Sequence, residues 1–265
     1  MESNNFTSLS LTQTDNKITT VTLNKPEIHN AFNDTLIAEL SECFIKLGED
    51  EDTRLIILTG SGKSFCAGAD INWMKAMIDY SHEQNISDSQ NLAEMFKIID
   101  ECPKPVIGRI NGSAFGGGVG LVAVCDVAIA AEDAKFSFSE VKLGIIPAVV
   151  SPYVIARIGP GHARKLFITG ERFDANTALN IGLIHGLVPE AGLDEDVGAV
   201  AETILANGPA AMHQVKKLIA KWLDMDSESY REFTVDKIAK LRTSPEGQEG
   251  LKAFLEKRKP EWRRS

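Results

Sequence analysis

Apolar and polar side chains alternate along Ile18–Leu23, the period of a strand with one buried face, and Leu55-Ile-Ile-Leu58 forms an unbroken apolar run within 54–59. Between them the spacing becomes helical. Leu36, Leu40, Cys43, Phe44 and Leu47 share one face, with Asn33 placed to cap the start and Gly48 to supply the stop. Leu92, Met95, Phe96 and Ile99 mark another helix that closes before Pro103, and strands are expected at 106–110 and 127–130 on either side of a glycine-rich turn.

This repeated order of strand, turn and helix is α/β. Two strand-like segments precede each helix, so the spacing is not that of a regular doubly wound sheet. After about Gly159 strand signals nearly vanish, and helical patterns run through 162–169, 175–181, 194–206, 209–223, 228–241 and 245–257. The late helices carry too little apolar surface for a large core of their own. They are expected to pack on the main domain or on another subunit.

The formal net charge of −9 over 265 residues argues against general affinity for nucleic acid or acidic membranes, which calls for clustered cations. No apolar run approaches the ~18 residues that span a bilayer, and the start from Met1 to Asn5 lacks the basic and apolar regions of a secretion signal. A cytoplasmic, soluble protein is expected. Cys43, Cys66, Cys102 and Cys125 are scattered without close pairs and read as structural thiols, and the histidines show no ligand spacing, so no metal is implied.

Two turns of small residues carry the candidate chemistry. Gly116, Gly117 and Gly118 strip side chains from a turn that opens a helix, so backbone N–H groups can approach an anionic ligand directly. One such triplet alone fits a helix packed tightly on a strand. A second turn, at 64–71, suggests more, because two turns aimed at one point make an oxyanion hole suited to acyl-group chemistry. Glu140 lies between Phe136 and Phe138 on one side and Leu143, Ile145 and Ile146 on the other, and desolvation by these neighbours would raise its pKa toward the range of proton transfer.

Phe65-Cys-Ala-Gly-Ala-Asp-Ile71, Asn111-Gly with Gly116-Gly-Gly118, Cys125-Asp126, Lys135-Phe136, Glu140-Val-Lys-Leu-Gly-Ile-Ile-Pro147 and Thr169-Gly170 closely resemble, in order and register, the crotonase or enoyl-CoA hydratase/isomerase superfamily. The resemblance spans nearly the whole chain. It implies a crotonase-like spiral of ββα units over 1–195 and a helical C-terminal region, 196–265, that builds homotrimers, commonly paired into hexamers. The ligand would be an acyl-CoA thioester, the coenzyme arriving as part of the substrate with no separate cofactor. The N–H groups of Ala69 and Gly117 would form the oxyanion hole, with Glu140 as acid and base.

Where hydratases of the family carry another glutamate two residues after the glycine triplet, this chain has Gly120. Two reactions therefore stay open. Glu140 could activate water for addition to an α,β-unsaturated acyl-CoA, or move a proton from C2 to C4 as a Δ3-Δ2 isomerase. Three segments, Ala69-Asp-Ile-Asn-Trp-Met-Lys75, Ile146-Pro-Ala-Val-Val-Ser-Pro-Tyr153 and Glu171-Arg-Phe-Asp174, resemble the bacterial branch that hydrates 3-methylglutaconyl-CoA in leucine breakdown, in which a small residue at the position of Gly120 is usual.

The resemblance implies an acyl pocket lined by Gly116, Gly120, Pro147, Val149 and Val150, with Trp73 and Met74 across it. Trp73 and Met74 fit a place in the core equally well. Ala67, Asp70 and Ile71 would supply the backbone of the adenine pocket, and Lys25 and Lys257 would meet the coenzyme phosphates, Lys257 reaching a neighbouring subunit. Lys75 and Ser151 are candidates for a second substrate carboxylate. Two readings of another class, an RNA-binding protein and a non-catalytic protein of the same fold, are opposed by the net acidity and by the retention of Glu140 and both turns.

Overall fold

In the computed structural model, which describes residues 6–263, the alternating stretch at 18–23 becomes a strand that buries Thr19, Val21 and Leu23. This strand, β2 (Ile18–Leu23), pairs antiparallel with β1 (Leu9–Gln13). Parallel strands β3 (Leu55–Gly60), β5 (Val106–Ile110), β7 (Val127–Ala131) and β10 (Gly186–Val188) extend the sheet in the order β1-β2-β3-β5-β7-β10. A second sheet holds β4 (Ser64–Cys66), β6 (Ser113–Phe115), β8 (Lys135–Ser137) and β9 (Arg172–Asp174) in that order. Its first three strands run parallel and β9 is antiparallel to β8.

Each pass of the chain gives one strand to the large sheet, the next to the small sheet, and then a helix. The first pass is β3, β4, α2 (Ile71–Ile78) and α3 (His82–Asp100); the second is β5, β6 and α4 (Gly117–Val124); the third is β7, β8 and α5 (Ser151–Thr169). This is the expected spiral of ββα units. Because β4, β6 and β8 are neighbours, the segments that leave their ends arrive side by side.

The main core lies between the sheets and α1 (Asp34–Glu49), α3, α4 and α5, where Phe32, Phe44, Phe65, Phe96, Phe136 and Phe138 are fully buried. Asn33 caps α1 as expected, its side chain accepting from Leu36 N–H. Gly48 does not end that helix. It lies inside α1, and the point where its side chain would begin is 3.1 Å from Pro103 Cδ, so the glycine admits a close packing partner instead. α5 begins with a segment from Ser151 that the sequence did not suggest, Gly159, at φ 75°, breaks it ahead of Pro160, and the part that follows to Thr169 is the helix expected at 162–169.

After α6 (Ala175–Asn180), α7 (Leu193–Leu205) packs Leu193, Val197 and Ala201 against Leu55, Ile107 and Ile129 on the other face of the large sheet. The expected boundary between residues 195 and 196 falls inside α7. Beyond it come α8 (Pro209–Asp224), α9 (Ser227–Thr243) and α10 (Pro245–Leu255). Lys216 ties α8 to the core through Asp126 (2.9 Å), and Arg54, just before β3, donates to the carbonyls of Leu205 and Trp262. Among the described residues no helix is long and apolar enough to cross a membrane.

Candidate active site

The turn after β4 is anchored by Phe32, which forms an isolated parallel bridge with Ala69. Phe32 N–H donates to the Gly68 carbonyl (2.6 Å) and Asp70 N–H donates to the Phe32 carbonyl (2.8 Å). In this pattern the N–H of Ala69 itself faces away from Phe32. It has no backbone acceptor among the described residues, and Ala69 is exposed. Gly68 reaches this turn at φ 90°, a conformation that disfavours a side chain, and the point where a Cβ would begin lies 2.9 Å from the Phe115 carbonyl oxygen.

The turn after β6 is therefore pressed against the first. Gly116, at φ 50°, donates its N–H to the Ser137 carbonyl and leads into α4, whose first residue is Gly117. As the first residue of a helix, Gly117 has no carbonyl within the helix to receive its N–H. A side chain on Gly117 would strike the Phe32 ring at 2.9 Å, and one on Gly118 would strike the Cys66 carbonyl oxygen at 2.2 Å. Gly118 is needed because backbone meets backbone here, and Gly117 because the Phe32 ring fills the place of its side chain.

Glu140 leaves the end of β8 in a short 3-10 turn that Gly144, at φ 76°, closes. Its Oε1 lies 3.1 Å from the point where a Gly116 side chain would begin, and its buried Oε2 has no hydrogen-bond partner among the described residues. Burial pushes the pKa above the ordinary carboxylate range, with its own backbone N–H pulling the other way. The expected source of that burial needs correcting. Leu143, Ile145 and Ile146 are exposed, Ile146 by 72%, because the 3-10 turn directs them to the surface.

Gly120, on the buried face of α4, has no room for a larger residue. A Cβ there would begin 2.4 Å from Val150 Cγ1 and 2.9 Å from the Phe96 ring, which itself packs edge-on to Phe32. Position 120 therefore supplies no carboxylate. Pro147 is buried and Val149 half-buried against the core beside Val150.

The other expected residues separate into two groups. Ala67, Asp70 and Ile71 belong to the first turn: Ala67 N–H donates to the His29 carbonyl, Asp70 caps α2 by accepting from Asn72 and Trp73 N–H, and Ile71 is exposed. Lys25 lies at the nearby end of β2, where Asn30 accepts from its N–H. Trp73 is core, packed in the main cluster, and its indole N–H donates to Asp88 Oδ1 at 3.2 Å; Met74 is half-buried next to it. Lys257 follows α10 in the segment that ends on Trp262, beside Arg54 at the start of β3. The glycine turns lie past the other end of β3, so one chain does not bring Lys257 to Lys25.

Three residues with structural parts in the site drew no attention in the sequence. Asn30 donates from Nδ2 to the carbonyls of Ser61 and Ser64, both at 2.9 Å, and so pins the loop before β4. Phe32 supports both turns, and Asp88 holds Trp73. None sits in a local motif, although a buried Asn30 at φ 56° is typical of an asparagine that fastens a loop. Among the described residues no group of three His, Cys, Asp or Glu could hold a metal ion. The chemistry open to these residues is stabilisation of an oxyanion by amides beside a carboxylate fit to take and return a proton.

Residues 13–265 match the enoyl-CoA hydratase/isomerase family. The chain is 34% identical to crotonyl-CoA hydratase of Syntrophomonas wolfei, covering 92% of this chain and 94% of that protein. It is 32% identical to the short-chain-enoyl-CoA hydratase of Clostridium acetobutylicum, with 98% of each covered. Its fold is similar to the crystal structure of an enoyl-CoA hydratase from Shewanella pealeana at TM-score 0.94, with 39% identity over 97% of both chains.

Proposed function

The chain belongs to the enoyl-CoA hydratase/isomerase family, whose enzymes act on unsaturated acyl-CoA thioesters, and we propose that it adds water reversibly to 3-methylglutaconyl-CoA, giving 3-hydroxy-3-methylglutaryl-CoA. The observation that carries the mechanism is the half-buried Glu140, whose Oε1 lies over Gly116, one residue from the Gly117 amide, and whose Oε2 is buried without a hydrogen-bond partner among the described residues. Ionised Glu140 takes a proton from water as the water oxygen bonds to Cβ. The π electrons move through Cα onto the thioester oxygen, which the Ala69 and Gly117 N–H groups receive. Glu140 then returns the proton to Cα, so water is added and the carboxylate is regenerated.

The choice of acyl group rests on the three segments that resemble the branch acting on 3-methylglutaconyl-CoA. Lys25 would meet the coenzyme phosphates of its own subunit and Lys257 those of a neighbour. A homotrimer, or a pair of them, follows from the same reading. It would cover the apolar groove of about 440 Å³ between α8 and α9, lined by Val215, Leu218, Val235 and Ile238. The cytoplasm is the compartment proposed for this chemistry.

One observation favours a second reading. With Gly120 where hydratases of the family carry another glutamate, Glu140 stands alone among the expected acid/base residues, as a Δ3-Δ2 isomerase would use it. Incubating the protein with 3-methylglutaconyl-CoA, crotonyl-CoA and a 3-enoyl-CoA, and weighing the products by mass spectrometry, separates the two. Gain of one water by the first substrate supports hydration. An isomer formed only from the third rejects it.

A further inference from the structure

Helix α2 carries Ala69 and Asp70 at its entrance, where backbone bonds to Phe32 hold the turn, but few side chains of the helix itself reach the core. Trp73 is its only buried residue among those described, Met77 is half-buried, and Ile71 and Ile78 are 69% and 81% exposed. The Asp70 side chain caps the helix from within, and its backbone N–H joins the entrance of α2 to the Phe32 carbonyl (2.8 Å), which leaves the body of the helix to be held by its own side chains. The one side-chain hydrogen bond from α2 to another element, among the described residues, runs from Trp73 Nε1 to Asp88 Oδ1 on α3 (3.2 Å).

Asp88 is half-buried, and burial raises its pKa, with the Trp73 hydrogen bond pulling it down and nearby Asp34 adding to the rise. α3 is itself fixed to the core by Met95, Phe96 and Ile99. A rigid helix thus holds the indole, the indole holds α2, and the same Trp73 gives its backbone N–H to the Asp70 cap. From Asp70 the chain passes directly to Ala69. We propose that Asp88 is a positioning residue of the acyl-CoA site, setting the direction of the Ala69 N–H through the Trp73 indole.

The inference rests on the reading that Ala69 N–H receives the thioester oxygen. A misdirected donor should slow the chemical step more than it weakens binding, because charge builds up on the thioester oxygen only toward the transition state. The test compares Asp88→Ala, Asp88→Asn, Trp73→Phe and the Asp88→Ala/Trp73→Phe pair by kcat and KM on an unsaturated acyl-CoA the wild type turns over. It adds the Raman carbonyl band of the bound thioester and hydrogen exchange of amides 69–78 in the free protein.

Asp88→Ala and Trp73→Phe should each lower kcat by roughly 10–100-fold with KM little changed, and the pair should be no worse than the poorer single variant. Asp88→Asn keeps an acceptor oxygen and should retain most activity. The bound carbonyl should be less polarised in the impaired variants, a change that simple loss of folded protein would not produce. Multiplying losses in the pair, an unmoved carbonyl band, or Asp88→Asn as poor as Asp88→Ala would each overturn the assignment. If the wild type turns over no acyl-CoA the proposed function fails first. Exchange at 69–78 then decides separately whether Asp88 holds the turn, faster exchange in Asp88→Ala supporting it and unchanged exchange rejecting it.

Discussion

The Oε1 atom of Glu140 lies 3.1 Å from where a side chain on Gly116 would start, so the carboxylate occupies space that only a glycine leaves open. The two residues come from different passes of the spiral, β6 to α4 and β8 to the 3-10 turn, and meet because β6 and β8 are neighbours. Topology thereby brings the Glu140 carboxylate beside the glycine turn that opens α4.

Replacing Glu140 by Gln keeps the shape and removes the proton acceptor. Turnover should fall about 10²- to 10⁴-fold while the Kd for a non-reactive acyl-CoA stays near that of the wild type, as read by calorimetry. Undiminished turnover would remove Glu140 from the mechanism.

The raised pKa of Glu140 fixes the sign of two pH effects. As a base it must be ionised, so kcat/KM should decline on the acid side at a pH above the ordinary glutamate range. In the window between that range and the raised value, the folded chain holds a proton the unfolded chain has lost, so this group makes stability fall as pH rises. Glu140→Gln should therefore melt higher than the wild type at neutral pH. The gap should shrink as pH drops below the ordinary value, which calorimetric melting at several pH values would show.

Gly68→Ala would set a Cβ 2.9 Å from the Phe115 carbonyl oxygen at φ 90°. Neither the backbone angle nor the contact tolerates it, and the two turns should part. A loss of about 10²-fold in kcat is expected, comparable to removing one oxyanion donor, with a fall in Tm measured alongside.

Gly120→Ala should destabilise the fold by about 1–3 kcal/mol in denaturant melts, because its methyl would overlap Val150 Cγ1 and the Phe96 ring. Adding Val150→Ala should recover part of that loss. Equal stability of Gly120→Ala and wild type would mean the wall is soft.

Ile238→Asp places a charge in the groove between α8 and α9 without touching the amide turns. If this groove seats a second copy, sedimentation should show a smaller assembly than that of the wild type. An unchanged assembly would place the subunit contact elsewhere.

The long elements were legible because burial imprints a period on them: β2, β3, α1 and α3 all stand where Val21, Leu58, Leu40 and Phe96 mark them. β4, β6, β8 and β9 span three residues each, too few for any period to show, and they are the strands that bring the turns together. The glycines were visible locally, but what they admit was not. Cys66, Phe32 and Glu140 lie far from Gly118, Gly117 and Gly116 in the chain and adjacent in space. The exposed Leu143 and Ile146 show the converse error, since apolar sequence neighbours of Glu140 need not be its spatial neighbours.

All four cysteines are free and buried, and burial pushes the thiols of Cys43, Cys66 and Cys125 up to about 12. A thiol reagent in neutral buffer meets almost no thiolate and no open path to sulfur while the chain stays folded. Labelling then counts opening events, with Cys66 reporting on the seam between the two glycine turns and Cys43 on the first helix. The molecule carries its own clock for how often each region comes apart.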